Sequence, residues 1–241
     1  MPKVLILANN DIGLYKFRKE LIGELLRRYE VYISLPYGAY VPVLEKMGCR
    51  YIETPISRRG TNPVTDFQLW VKYKRILKET MPDVVLTYTV KPNIYGGLAC
   101  KAARVPCVAN ITGLGSSIEN GGVLRTVILS LYKRALSRAA CVFFQNRPNL
   151  DFFAARGIVR GRHRLIPGSG VNITEHSLEE YPDESDGLTV LFIGRIMREK
   201  GIEELLEAAE GVAGEYPHVR FSLLGDTEED YTDRIHALEE K

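Results

Sequence analysis

Two cations, Arg195 and Lys200, stand in the run Phe192-Ile193-Gly194-Arg195-Ile196-Met197-Arg198-Glu199-Lys200-Gly201-Ile202. The apolar residues ahead of Arg195 read as a buried strand that delivers it from a carboxyl end, and Lys200 comes two residues before a helical pattern. Both cations can meet one anion beside a helix N-terminus, which is the chemistry of a diphosphate clamp. Taken in isolation, a solvated turn is the simpler reading of the pair. The run Asn9-Asn10-Asp11-Ile12-Gly13-Leu14-Tyr15-Lys16-Phe17-Arg18 sets Gly13 at another helix start, where backbone N–H groups and the positive helix end can hold a phosphate. Plain turn geometry also explains one glycine there, and Asp11 also fits a helix cap.

Two further loops offer polar and aromatic groups. Thr87-Tyr88-Thr89-Val90-Lys91-Pro92-Asn93-Ile94-Tyr95-Gly96-Gly97 ends a strand and opens a helix, with Tyr88 and Lys91 as candidate sugar contacts. A glycine pair at a helix start is costly unless something packs close, so a substrate cleft and tight helix packing both remain open. The loop from Thr112 to Gly122 imitates a dinucleotide fingerprint, but Ile118 stands where the third glycine belongs and the loop follows a fifth strand rather than a first. That argues against a nicotinamide cofactor. Thr112 and Gly113 still let backbone approach a ligand, and Glu119 reads either as a polar contact or as a solvated loop carboxylate.

The elements that must position these groups alternate. Short apolar, β-branched runs at Lys3–Ala8, Val31–Leu35, Arg50–Thr54, Asp83–Thr89, Cys107–Ile111 and Ala140–Gln145 predict six strands. Helical patterns lie between them, one with Leu14, Phe17, Leu21 and Leu25 on a common face, others over Val64–Glu79, Asn93–Ala103 and Val123–Ser137. Strand-helix alternation is the signature of a doubly wound parallel sheet, whose ligands sit beyond the carboxyl ends of the strands. The expected organisation is one complete Rossmann-like domain over 1–175, a linker over 176–187 and a second α/β domain over 188–241. The second has strands Leu188–Ile193 and Val219–Leu224, a helix over Ile202–Val212 and a last helix from about Tyr231. Two strands do not close such a sheet, so the expectation is that this second domain is incomplete.

With 241 residues, 45% of them hydrophobic and 26% charged, the chain can bury a sizeable core, and no apolar run approaches the roughly 18 residues of a spanning helix. The four cysteines form no CxxC pair and the four histidines show no ligand spacing, so buried reduced thiols and no metal site are expected. Residues 1–180 hold 26 Lys/Arg against 14 Asp/Glu, a net +12, while 181–241 hold 6 against 16, a net −10. A basic body suits an anionic ligand or an anionic membrane surface; a solvated basic surface without a dedicated partner is the alternative.

Together these runs resemble a known family. Leu14-Tyr15-Lys16-Phe17-Arg18, Arg58-Arg59-Gly60-Thr61-Asn62-Pro63, Thr89 to Gly97, Asn110-Ile111-Thr112-Gly113-Leu114-Gly115, Ile166-Pro167-Gly168-Ser169-Gly170-Val171-Asn172 and Gly194 to Gly201 are similar to the GT-B fold, family 4 glycosyltransferases. They look like the branch that extends undecaprenyl-diphosphate-linked glycans for capsule, O-antigen or protein glycosylation. The resemblance implies a retaining, metal-independent hexosyltransferase of the EC 2.4 class without a cofactor. It would move a hexose or N-acetylhexosamine from a UDP-sugar to a lipid-linked saccharide, peripherally on the cytoplasmic face of a bacterial membrane, with no role for nucleic acid. It assigns Arg195 and Lys200 to the donor diphosphate as catalytic cations and turns the Gly13 backbone toward the same phosphates; beside it, Tyr15, Arg18, Tyr88, Lys91, Thr112, Gly113 and Glu119 are the candidates for the acceptor or sugar pocket. Many members carry a histidine where Thr112 stands, and their paired-glutamate ribose motif lies beyond Lys241, so impaired donor binding is expected of this chain. The alternatives are a non-catalytic acceptor-binding fragment or subunit and, more remotely, a sugar-nucleotide epimerase.

Overall fold

The computed structural model describes residues 1–57, 62–114, 118, 122–180, 187–227 and 231. They fall into two compact units, Met1–His176 and Ser177–Lys241.

The first unit is built on a parallel sheet of seven strands in the order β3-β2-β1-β4-β5-β6-β7. These are β1 (Lys3–Leu7), β2 (Glu30–Leu35), β3 (Arg50–Glu53), β4 (Val84–Tyr88), β5 (Cys107–Ile111), β6 (Cys141–Phe144) and β7 (His163–Leu165). The helices between them are α1 (Asp11–Leu26), α2 (Val41–Met47), α3 (Pro63–Thr80), α4 (Gly97–Ala103), α5 (Gly122–Leu136) and α6 (Arg147–Ala155), with a π-helical turn over Pro92–Gly96. Alternate residues of β1 face opposite layers, as the period of a strand requires. Val4 and Ile6 pack under α1 and α2, while Leu5 and Leu7 pack under α3 and α4. The chain builds outward from β1 to β3, then crosses back to β4 and builds the other way. The gap between β1 and β4 is therefore the topological switch point, where a doubly wound sheet opens a crevice.

The six expected strands are present, and the structure adds β7, α2 and α6. Two helix readings change. The inward stripe of α1 runs through Leu14, Arg18, Ile22 and Leu25, not through Phe17 and Leu21, which are exposed. Asp11 does not cap α1: Asn10 does, accepting from the Gly13 N–H, while the buried Asp11 carboxylate accepts from the Tyr40 N–H at 2.7 Å and holds the start of α2. All four cysteines are free thiols, and burial pushes that of Cys49 up to about 12.

The second unit shows two parallel strands, β8 (Thr189–Ile193) and β9 (Arg220–Leu224), joined through a 3-10 turn (Arg198–Lys200) and α7 (Ile202–Glu215). Its small core gathers Ile196, Ile202 and Leu206. The helix expected from about Tyr231 lies outside the described residues apart from Tyr231 itself. Among the described residues no helix is long and apolar enough to cross a membrane.

Candidate functional site

A cavity of about 400 Å³ lies at the carboxyl ends of the first unit's strands, at the switch point. Asn9, Asn10 and Gly13 reach it from the β1–α1 turn, Phe17 and Arg18 from α1, Tyr88 and Thr89 from the end of β4, Thr112 from the end of β5, Gln145 from the end of β6, and Ser169 from the chain after β7. Among the described lining residues the one charged side chain is Arg18, and the other polar ones are amides and hydroxyls. Such a wall favours a hydroxyl-rich, anionic ligand.

Arg18 reaches the cavity because it lies on the inward stripe of α1. Its guanidinium sits over the Tyr88 ring, 4.9 Å from the centroid, and donates to the Phe17 carbonyl at 2.6 Å. Burial raises the Tyr88 phenol above its ordinary value, and the neighbouring Arg18 opposes that shift. The ring thus fixes the cation without neutralising it.

A buried network sets the spacing of the β4 and β5 ends. Thr87 Oγ1 donates to Asn93 Oδ1 (2.6 Å), Asn93 Nδ2 donates to the Asn110 carbonyl (2.8 Å), and Asn110 Nδ2 donates to the Thr87 carbonyl (3.4 Å). Between these ties Thr89 has φ +71°, and its carbonyl accepts from the Asn93 N–H at 3.0 Å. Left-handed backbone in a β-branched residue costs on the order of 1–3 kcal/mol. On the far wall Gln145 Nε2 donates to Ser169 Oγ at 3.2 Å.

The structure brings Gly13, Arg18, Tyr88 and Thr112 together at this cavity. It does not bring Tyr15, Lys91 or Gly113 to the wall. Tyr15 is stacked on Tyr40, with centroids 4.8 Å apart. Lys91 turns to Asp66 of α3, forming a 2.6 Å ion pair that the Tyr95 hydroxyl joins at 2.8 Å. Glu119 lies outside the described residues. The Gly13 N–H is already taken by Asn10, and a Cβ there would meet Asn10 Oδ1 at 2.9 Å, so this glycine serves the cap directly. Gly96 and Gly97 follow the packing reading. A Cβ at Gly96 would lie 2.6 Å from Leu7 Cδ1, and one at Gly97 would lie 3.2 Å from Ala135 Cβ.

Sequence reasoning passed over Asn10, Thr89, Gln145 and Ser169 as site residues. Asn10 had a legible signal, an amide side chain directly before a helical pattern; the others are uncharged residues in turns and carried none.

In the second unit, β8 leads through Gly194 to Arg195, and Lys200 closes the 3-10 turn just before α7. Both side chains are exposed, and among the described residues neither is ion-paired, whereas Arg198 pairs with Glu203 at 3.3 Å. Gly194 and Gly225 approach so closely that a Cβ on Gly225 would overlap the Gly194 carbonyl, which fixes the strand exit that presents Arg195.

This architecture is of the GT-B type. The chain matches the structure of Anabaena HepE in complex with UDP and glucose at a TM-score of 0.71, with 19% identity over 100% of this chain and 65% of that one. It also matches a UDP-N-acetylglucosamine 2-epimerase from Rickettsia bellii at 0.61, with 16% identity over 100% of this chain and 66% of that one. At such identities the likeness is one of fold. The model of the glycosyl transferase 4-like family matches residues 3–146, and the chain belongs to that family. A curated relative is the N,N'-diacetylbacillosaminyl-diphospho-undecaprenol alpha-1,3-N-acetylgalactosaminyltransferase of Campylobacter jejuni, 28% identical over 224 residues. The match covers 86% of this chain and 60% of that relative's length.

Proposed function

We infer that this chain carries the acceptor-side unit and the diphosphate-clamp segment of a retaining glycosyltransferase. The enzyme would transfer a hexose or N-acetylhexosamine from a UDP-sugar to an undecaprenyl-diphosphate-linked saccharide. The observation that carries this reading is the cavity at the switch point, with the cation Arg18 set among amides and hydroxyls. Family membership supplies the reaction class, and the Campylobacter relative's name supplies the acceptor chemistry.

The reaction is displacement at the anomeric carbon with negative charge growing on the departing UDP. Arg195 and Lys200 are the groups suited to that charge, and cations aimed at a leaving diphosphate lower the barrier without a metal. Retention follows if the acceptor oxygen attacks on the face the diphosphate leaves. The acceptor sugar would lie against Tyr88, Thr112 and Gln145, with its diphosphate toward Arg18. The basic residues of the first unit would hold the protein on the anionic cytoplasmic leaflet that presents such a lipid.

The test uses tritiated UDP-N-acetylglucosamine, UDP-N-acetylgalactosamine or UDP-glucose with farnesyl-diphospho-N-acetylglucosamine as acceptor. Passage of label into the organic phase supports the proposal. Acceptor binding by calorimetry without label transfer favours the second reading, an acceptor-binding unit that does not itself transfer, which the containment of the whole cavity in the first unit recommends. Neither binding nor transfer refutes both.

A further inference from the structure

Three described residues other than glycine have positive φ: Met81, Thr89 and Arg104. Met81 and Arg104 each end a helix, where the left-handed conformation lets the N–H reach back to a last-turn carbonyl. Thr89 ends a strand instead and is β-branched, the side-chain class least suited to that region. It also lines the cavity, and its Oγ1 is buried without a hydrogen-bond partner among the described residues. Strain and an unanswered hydroxyl at one residue are two separate costs. Costs of this kind persist at places that hold ligands.

The backbone around Thr89 leaves little freedom to relax. Its carbonyl is held by the Asn93 N–H, and Asn93 is itself fixed between Thr87 and Asn110. Its hydroxyl is shut away from solvent in the structure, and a turn about χ1 to another staggered rotamer is the movement that would present it to the cavity. Tyr88 precedes it in the chain and carries Arg18 over its ring, and Arg18, Tyr88 and Thr112 line the same cavity.

We propose that Thr89 is a specificity-determining residue that hydrogen-bonds a hydroxyl or acetamido group of the sugar in a glycosyl diphosphate, while Arg18 takes the diphosphate. This rests on the reading of the cavity as a saccharide site. The same ligand chemistry belongs to the sugar-nucleotide donor and to the lipid-linked acceptor, so the test carries both arms.

Calorimetric titration of the chain with UDP-N-acetylglucosamine and, separately, with farnesyl-diphospho-N-acetylglucosamine gives the baseline. Thr89→Val keeps the shape and the strain but removes the hydroxyl, Thr89→Ser keeps the hydroxyl, and Thr89→Gly removes both the strain and the hydroxyl. The expected result is that Thr89→Val and Thr89→Gly weaken binding about tenfold or more, the order of one lost hydrogen bond in a desolvated site. Thr89→Ser should hold it within a few-fold, and Thr89→Gly should melt no lower than the parent. The arm that weakens identifies the source of the sugar. A purely structural Thr89 would leave both affinities unchanged in Thr89→Val, and that result overturns the proposal while sparing the cavity. Failure of the parent chain to bind either probe removes the saccharide site and this role with it.

Discussion

Lys91, on the loop after β4, and Asp66, in the first turn of α3, form a 2.6 Å ion pair with both side chains only 14% exposed. The pair ties α3 to the π-helical turn beneath the cavity loop, and Tyr95 gives Asp66 a second donor. Removing one partner of a shielded pair leaves the other charge without compensation. Asp66→Ala should cost about 2 kcal/mol in urea denaturation, below the fully buried range because some solvent reaches the pair. Lys91→Met, which removes the charge and keeps the stem, should cost less. Equal, negligible costs for both variants would show that the pair is an ornament of the surface.

Gly96 tests the packing account of the glycine pair. The fully buried Leu7 cannot swing aside without disturbing its neighbours on β1 and α3. Gly96→Ala should therefore lower stability by about 1–3 kcal/mol, as overpacking does. A variant more stable than the parent, as helix propensity alone would give, would contradict the contact.

The sheet was legible because parallel strands buried on both faces read as apolar runs, and Val4 to Leu7 or Cys107 to Ile111 announce themselves. β7 was not, since its three residues are all exposed and it forms an edge. In α1 the stripes Leu14-Phe17-Leu21-Leu25 and Leu14-Arg18-Ile22-Leu25 both satisfy a helical period. Choosing the second means placing an arginine inward, which makes sense only once the cavity above it is seen. The same limit applies to the site. Tyr88 and Thr112 are visible from their place at strand ends, whereas Arg18 emerges only with the inward stripe of α1 and Thr89 is set apart by a backbone angle that no side-chain type encodes.

The membrane expectation becomes narrower with the structure in hand. Among the cations Lys16, Arg18, Lys19, Arg58, Arg59, Lys72, Lys74 and Arg75, Arg58 and Arg59 lie outside the described residues, Arg18 faces the cavity, and Lys19 and Arg75 are paired with Glu175 and Glu79. Lys16, Lys72 and Lys74 remain, near the exposed Phe17 of α1 and Phe67 and Val71 of α3. Sedimentation with phosphatidylglycerol vesicles at low salt should exceed that with phosphatidylcholine, and the difference should shrink at about 1 M salt, where screening length falls to about 3 Å. Equal binding to both lipids at low salt would refute the electrostatic part.

Lys19 and Glu175 join α1 to the chain after β7. The hydrogen bond from Lys19 holds the Glu175 carboxyl below its ordinary value and raises the Lys19 ammonium above its own. A depressed carboxyl stabilises the fold above its unfolded pKa, about 4.3, and loses that contribution as pH falls through the folded value. The raised lysine acts below about 10.4 and is lost only at higher pH. Glu175→Gln should therefore melt slightly below the parent at about pH 7, and the gap should close as pH falls through the lowered Glu175 value and its carboxyl protonates. A gap independent of pH would assign the effect to packing. Lys19 is 25% and Glu175 47% exposed, so the difference is expected to be small.

The clamp carries the largest expected effect on catalysis. Arg195 leaves the end of β8 and Lys200 sits at the start of α7, where the helix N-terminus adds its own positive field. Among the described residues neither cation is ion-paired, so both remain available to an anion. A charge-assisted contact that strengthens as a diphosphate departs acts on the transition state more than on the bound donor. In a protein competent for transfer, Arg195→Ala and Lys200→Ala should each lower kcat by about tenfold or more, with a smaller change in KM. Arg195→Lys should recover only part of the rate, because an ammonium cannot reproduce the two-pronged guanidinium contact. Unchanged kcat in both alanine variants would remove Arg195 and Lys200 from the mechanism and leave the segment as the solvated turn that its sequence also allows.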